Sequence, residues 1–284
     1  MLALLLLLVS AGAALAQPEA CPSSVPYGRN PAAGRVVTLN DIRVYYETYG
    51  NGPPLVLIHG NGGSIASMRC QISHFARSYR VIAADGRSQG RTETGTRRFT
   101  YEQMAEDLSA LLTELKIDSA SIIGHSDGGI VGLLLAIHHP LQVTKLVASS
   151  PNLQPDSSAL FPWVLDGMKK TVGNADAMMA KGDRTRDWAN VKRLTELMLN
   201  EPHVPMSELR KIQAPTLLIG SDEDMITPEH LLDIYRNIPK AHFFILPGST
   251  HMMTDGLPEI YNAAAERFLS QPFSRPTTRK AFGG

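Results

Sequence analysis

Apolar residues fall along this chain in two alternating rhythms. In the first, short runs are apolar at nearly every position: "PLVLIHG" (54–60), "YRVIAAD" (79–85), "SASIIGH" (119–125), "VTKLVASS" (143–150), "PTLLIGS" (215–221) and "HFFILPG" (242–248). Strands buried on both faces, as in a parallel sheet, read this way. In the second rhythm apolar residues recur at three and four. Met104, Leu108, Leu111, Leu112 and Leu115 form one stripe of an amphipathic helix within residues 100–117. Thr100 stands before it as an N-cap, with Gln103 as the return partner of a capping box. Ahead of these elements, "RVVTLNDIRVYYETYG" (35–50) predicts two strands turning at Asn40-Asp41.

Strands alternating with helices imply an α/β fold, with a mostly parallel central sheet and helices on both faces. The alternation breaks once. Between Ser150 and Pro215 no buried strand is evident, but "VLDGMKKTVGNADAMMA" (164–180) and "DWANVKRLTELML" (187–199) have helical patterns. So long a connection needs structure of its own. It is read as a helical cap, residues 153–212, inserted after the sixth strand. The expected organisation is then a core of residues 35–152 and 213–271, a Pro- and Gly-rich extended lead-in at 17–34 and a flexible tail at 272–284.

Composition narrows the functional classes. With 27 basic and 27 acidic residues among 284, the chain has no net field to draw it to nucleic acid or an anionic membrane. The opening "MLALLLLLVSAGAALA" (1–16) is apolar, too short to span a bilayer comfortably, and ends in the A-x-A form of a secretory cleavage site. It reads as an export signal cleaved after Ala16, giving a secreted or periplasmic protein without stable membrane association. In such a compartment Cys21 and Cys70 either form one disulfide or remain a free exposed and a buried thiol.

The chemistry concentrates at "GHSDGG" (124–129). His125 and Asp127 flank Ser126, yet adjacent side chains diverge along a strand or tight turn, so the partners of Ser126 must come from elsewhere. Gly124, Ser126 and Gly128 match G-x-S-x-G, which between a strand and a helix makes a sharp turn exposing the serine. "SASIIGH" precedes it and "GIVGLLLAIHHP" (129–140) follows with helical apolar content. His138 and His139, in the last turn of that helix, have a sufficient explanation as cations at its C-terminal end.

With these residues in hand the chain resembles the α/β-hydrolase fold family from about Arg35 to Ser270. Four motifs carry the resemblance, in the order of that family: "LIHGNGGS" (57–64), "DGRSQGRT" (85–92), the turn at Ser126, and an acid then a histidine in "SDEDMITP" (221–228) and "LPGSTHMM" (246–253). The resemblance implies Ser126 as nucleophile and His251 as its base. It favours Asp224 over Asp222 as the acid, because Asp224 lies four residues before Pro228, where a helix opens. The backbone N–H groups of Asn61 and Asp127 are the implied oxyanion donors. Arg87 is read as structural, paired with an acid; the family usually has Arg-Gly where this chain has Arg87-Ser88. The Asp127 carboxylate is placed at the pocket floor or the start of its helix. No metal or organic cofactor is implied, since there is no H-E-x-x-H and no Cys/His cluster. The implied activity is hydrolysis of a small-molecule acyl substrate, most simply a carboxylic ester, through an acyl-enzyme. C–C bonds, lactones and peptides remain open on the same residues, as does a ligand-binding protein with little turnover. Phe161, Trp163, Trp188 and several methionines of the cap are either pocket lining or cap core.

Overall fold

The structure is a computed structural model and describes Cys21 and residues 23–278. The segment read as an export signal, residues 1–16, lies outside the described residues. Eight strands form one sheet: β1 (Gly34–Leu39), β2 (Ile42–Tyr49), β3 (Pro54–Ile58), β4 (Arg80–Ala84), β5 (Ala120–His125), β6 (Val143–Ser149), β7 (Thr216–Glu223) and β8 (Ala241–Thr250). Their order across the sheet is β1-β2-β4-β3-β5-β6-β7-β8. β1 and β2 are a hairpin that pairs antiparallel with β4, and every later pair is parallel. Asn40 takes the positive φ of 53° that the hairpin turn requires.

The unbroken apolar runs are explained by burial on two sides. Leu55 and Leu57 of β3 face one core layer while Val56 faces the other; Ile123 and Ile122 of β5, and Val147 and Leu146 of β6, divide the same way. The first layer is closed by α1 (Arg69–Phe75), the short α7 (Met253–Gly256) and α8 (Pro258–Ser270), through Ile72, Phe75, Met253, Tyr261 and Leu269. The second is closed by α2 (Tyr101–Glu114), α3 (Asp127–His138) and α6 (Pro228–Asn237), through Leu108, Leu111, Leu133 and Leu231. Each such side chain contributes about 1.5–3 kcal/mol by leaving water.

Thr100 caps α2 by accepting from the Gln103 backbone N–H at 3.1 Å. The reciprocal arm of the expected capping box is not made. The Gln103 amide donates instead to Asp107 one turn on, at 3.0 Å. A stronger partner explains this, because Asp107 already holds the buried Arg87 guanidinium through contacts of 2.7 and 3.0 Å. Nη2 of the same guanidinium also donates to Asp41, at 2.7 Å. Arg87 therefore pins the 85–92 loop to α2 and to the hairpin turn.

The described part of the lead-in is anchored to the core. Cys21 is disulfide-bonded to Cys70 in α1, with Cα atoms 5.4 Å apart. The buried Glu47 carboxylate accepts from the backbone N–H groups of Gly28 and Asn30, each at 2.9 Å, and from the Tyr45 and Tyr49 hydroxyls, each at 2.7 Å. Part of the segment read as a flexible tail also lies on the core. The Arg275 guanidinium donates to the Ala241 carbonyl at 3.2 Å, and the Phe273 ring sits 4.8 Å from that of His242.

Between β6 and β7 the chain forms two longer helices, α4 (Pro162–Ala180) and α5 (Trp188–Asn200). Asp187 caps α5, accepting from the Asn190 N–H at 2.9 Å. No helix among the described residues is long and apolar enough to cross a membrane.

Candidate active site

β5 ends in the middle of the sheet, and the chain turns at once into α3. Ser126 sits at that turn with φ 56° and ψ −120°, a conformation that L-residues avoid. Space dictates the flanking glycines. A Cβ on Gly128 would meet the Ile58 backbone, with its carbonyl carbon 2.7 Å away, and one on Gly124 would run into the Gly128 carbonyl. The motif is therefore a close crossing of β3, β5 and α3 that lifts one hydroxyl out at the C-terminal edge.

β7 and β8 deliver two more side chains to that edge. His251 Nε2 lies 2.9 Å from Ser126 Oγ, and His251 Nδ1 lies 2.7 Å from Asp224 Oδ1. Burial opposes charge on Asp224, but the bond from His251 and those from Ser150, Ile226 and neighbours prevail and hold its pKa at about 2. An ionised Asp224 only accepts, so Nδ1 carries the proton and Nε2 is left to accept from the serine. Ser221 Oγ and the Met225 N–H also donate to the Asp224 carboxylate, at 3.0 and 2.8 Å. Asp222 is engaged elsewhere, accepting from the Gly248 and Ser249 N–H groups at 2.8 and 3.0 Å. It fastens the turn that leads to His251.

The "LIHGNGGS" loop is held by His59. Its Nδ1 donates to the Gly60 carbonyl at 2.7 Å and its Nε2 accepts from the Gly86 N–H at 3.0 Å. Asn61 thereby comes beside Ser126 in the lining of one pocket of about 480 Å³. Among the described residues neither the Asn61 nor the Asp127 backbone N–H has a hydrogen-bond partner.

Ser150 and Ser221 were not singled out from the sequence, and His125 was noted only as a neighbour of Ser126. Ser150, at φ 48°, and Ser221 support Asp224 from the ends of β6 and β7. His125 lines the pocket, its ring 5.0 Å from that of His251; burial, then repulsion from His251, lowers its pKa to about 3, so it is neutral. The apolar wall is built from Met68, Met198, Met225 and Met252. Trp163 is 63% exposed, Phe161 packs on the core and the Trp188 indole donates to Asp183, so none of the three aromatic candidates lines the pocket. Among the described residues no group of three or more His, Cys, Asp or Glu side chains is arranged to hold a metal.

Asp127 opens α3, one of the two placements expected of it, but its side chain does neither of the jobs expected there. It neither caps α3 nor faces the pocket, but is buried behind the turn, accepting from the Asn61 amide at 2.9 Å and from the Tyr101 hydroxyl. Burial raises its pKa to about 6, against the lowering effect of those two bonds. Above that pH the folded state carries a charge that the unfolded chain solvates better. Between about 6 and 4 the folded form binds the proton and the unfolded form does not, so stability rises as pH falls through this window. Asp127→Asn is expected to exceed the parent in unfolding free energy by about 1–3 kcal/mol at pH 8, the difference vanishing near pH 4. Urea denaturation at both values checks this; a gap independent of pH excludes the buried charge as its source.

Comparison with known proteins agrees with this architecture. The sequence model of a family described as the alpha/beta hydrolase fold matches residues 53–200. A protein of Rhodobacter capsulatus named the magnesium-chelatase 30 kDa subunit is 30% identical over 88% of this chain and 95% of its own. A putative carbamate hydrolase of Azorhizobium caulinodans is 25% identical over 78% of this chain and 93% of its own. Among solved structures, the enol-lactonase of Burkholderia xenovorans superimposes with a TM-score of 0.71 at 20% identity, covering 84% of this chain and 100% of that one.

Proposed function

The chain belongs to the alpha/beta-hydrolase fold family, and we propose that it is an exported serine hydrolase that cleaves a carboxylic ester through an acyl-enzyme. The observation that carries this reading is the unbroken path from Asp224 through His251 to Ser126, opening on a pocket beside two unpaired N–H groups.

In the proposed reaction Ser126 Oγ attacks the ester carbonyl carbon and its proton passes to His251 Nε2. The Asn61 and Asp127 N–H groups receive the oxyanion, each worth about 10²–10³ in rate. As the tetrahedral species collapses, the carbon–oxygen bond to the alcohol breaks and His251 returns the proton to the leaving alkoxide. Water then attacks the acyl-enzyme with His251 as base, releasing the acid and restoring Ser126. The ionised Asp224 keeps the imidazole in the required tautomer throughout.

Export is supported by the apolar N-terminal run and by the Cys21–Cys70 disulfide, a bond that persists in oxidising compartments.

Purified mature protein incubated with a fluorophosphonate tests the assignment. Serine oxygen bonds to phosphorus, fluoride leaves and the serine proton passes to His251. A stoichiometric adduct mapped to Ser126, absent in His251→Ala, is the expected result. Folded protein that takes no label at Ser126 overturns it. A second reading has one observation in its favour: the Rhodobacter relative is named as a subunit of a chelatase rather than as a hydrolase. On that reading the pocket binds a ligand with little turnover, and Ser126→Ala leaves binding intact.

A further inference from the structure

Five non-glycine residues among those described have positive φ. Ser126 and Ser150 belong to the site, Asn40 turns the hairpin and Lys116 follows the end of α2. Ser88, at φ 65°, is buried in the 85–92 loop and has no part in the chemistry proposed above. A glycine would hold this backbone without strain. What Ser88 has beyond glycine is a hydroxyl, and the hydroxyl is fully used. It donates to Asn190 Oδ1 at 2.5 Å, while the Asn190 amide donates back to the Ser88 carbonyl at 2.7 Å. Arg193 reinforces the pair, reaching Asn190 Oδ1 at 2.9 Å and Ser88 Oγ at 3.3 Å.

Asn190 and Arg193 are on α5, and a second contact lies one turn further along that helix. The Leu194 carbonyl accepts from the Asn61 amide at 3.2 Å. The two core loops are themselves joined, since the Gly62 N–H donates to the Gln89 side chain at 2.7 Å. Four residues beyond Leu194, Met198 enters the pocket wall beside Ser126. Positions 190, 194 and 198 share one helix face, and the first and last are about 12 Å apart at about 1.5 Å rise per residue. α5 is thus held at its N-terminal end and middle by polar contacts with the core, and presents a flexible thioether to the pocket at the far end.

We propose that Ser88 and Asn190 form a latch that fixes α5 over the pocket, and that this latch, acting through Met198, selects for acyl groups slim enough to lie along the methionine wall. Both are positioning residues. The selectivity half rests on the acyl-transfer reading above; the mechanical half does not.

The test combines two measurements on Asn190→Ala and Ser88→Gly. Hydrogen exchange over residues 188–200 is followed by mass spectrometry, and kcat/KM is compared for p-nitrophenyl acetate and the bulkier p-nitrophenyl pivalate. Asn190→Ala removes both reciprocal bonds and the Arg193 contact to Asn190 Oδ1, so exchange in α5 is expected to rise at least ten-fold. Exchange in β5 and β6 should be unchanged, and the pivalate-to-acetate ratio should rise at least five-fold. Ser88→Gly keeps the backbone, since glycine takes positive φ freely, and keeps the Asn190 amide bond to the carbonyl. It loses the hydroxyl arm to α5 together with the 2.8 Å bond to Thr94 in its own loop, so it should show a smaller change in the same direction. Unchanged exchange in α5, or an equal rise in the central strands, overturns the latch. Faster α5 exchange with an unaltered ester ratio overturns its role in selection. If the parent protein turns over neither ester, the acyl-transfer reading fails while the exchange data still decide the latch.

Discussion

Ser126→Ala is expected to lower kcat on an activated ester by about 10⁵–10⁶-fold, the loss seen when the nucleophile of a serine triad is removed. Nothing else in the site substitutes for it. His125, though at the pocket wall, is only 6% exposed, and the two serines nearest the acid, Ser150 and Ser221, donate to Asp224. The two N–H donors and the pocket remain in the variant, so a residual acceleration of about 10³–10⁴ over water should persist. The fold should not suffer, because the hydroxyl bonds only His251 and alanine meets the same φ of 56° that serine already bears. Steady-state kinetics beside the thermal midpoint separate the two effects. The double variant Ser126→Ala/His251→Ala should be no slower than either single one, since the two residues act as a unit. Activity within ten-fold of the parent would mean that another group attacks the substrate.

The sheet was readable because burial on two faces leaves a mark that periodicity detects. All six apolar runs are strands, and the hairpin turns at Asn40-Asp41. The three side chains picked out by motif order meet at the sheet edge, because parallel strands deliver whatever follows their C-terminal ends to one place. What escaped were features set by contacts between distant segments. Gln103 has the spacing of a capping-box partner, but an ion pair formed by Arg87, sixteen positions earlier, draws its side chain away. Asp127 next to the nucleophile suggested a carboxylate facing substrate or capping its own helix, yet Tyr101 and Asn61 draw it behind the turn. The methionine wall was legible only in part: cap methionines were read as pocket lining or cap core, and Met198 is lining, but Met68, Met225 and Met252 come from three other parts of the chain. Ser150 and Ser221 left a faint signal, as polar residues ending the otherwise apolar runs of β6 and β7. The Ser88–Asn190 pair joins a loop to a helix far along the chain; only the departure from Arg-Gly at Ser88 hinted at it.

Asp224→Asn should lower kcat by about 10⁴-fold, whereas Asp222→Asn should cost less than ten-fold. The two carboxylates lie two residues apart on the same turn, so the contrast is between orientations rather than locations. Asp224 receives the imidazole Nδ1–H at 2.7 Å, and an asparagine there can turn its amide toward Nδ1. A donor facing Nδ1 favours the opposite tautomer, in which Nε2 carries the proton and can no longer accept from Ser126. Asp222 receives only backbone N–H groups of the 248–249 turn, and an amide oxygen can still accept from one of them. Stability adds an independent signature. The Asp224 pKa is depressed to about 2, so its stabilising contribution is present above the usual carboxylate range and is lost as pH falls through the folded value. Asp224→Asn should therefore be less stable than the parent at pH 7 and approach it under acid. Kinetics and denaturation of both variants across that range test the assignment. Equal and mild losses of activity would remove Asp224 from the proposed triad and leave His251 to be oriented by another group.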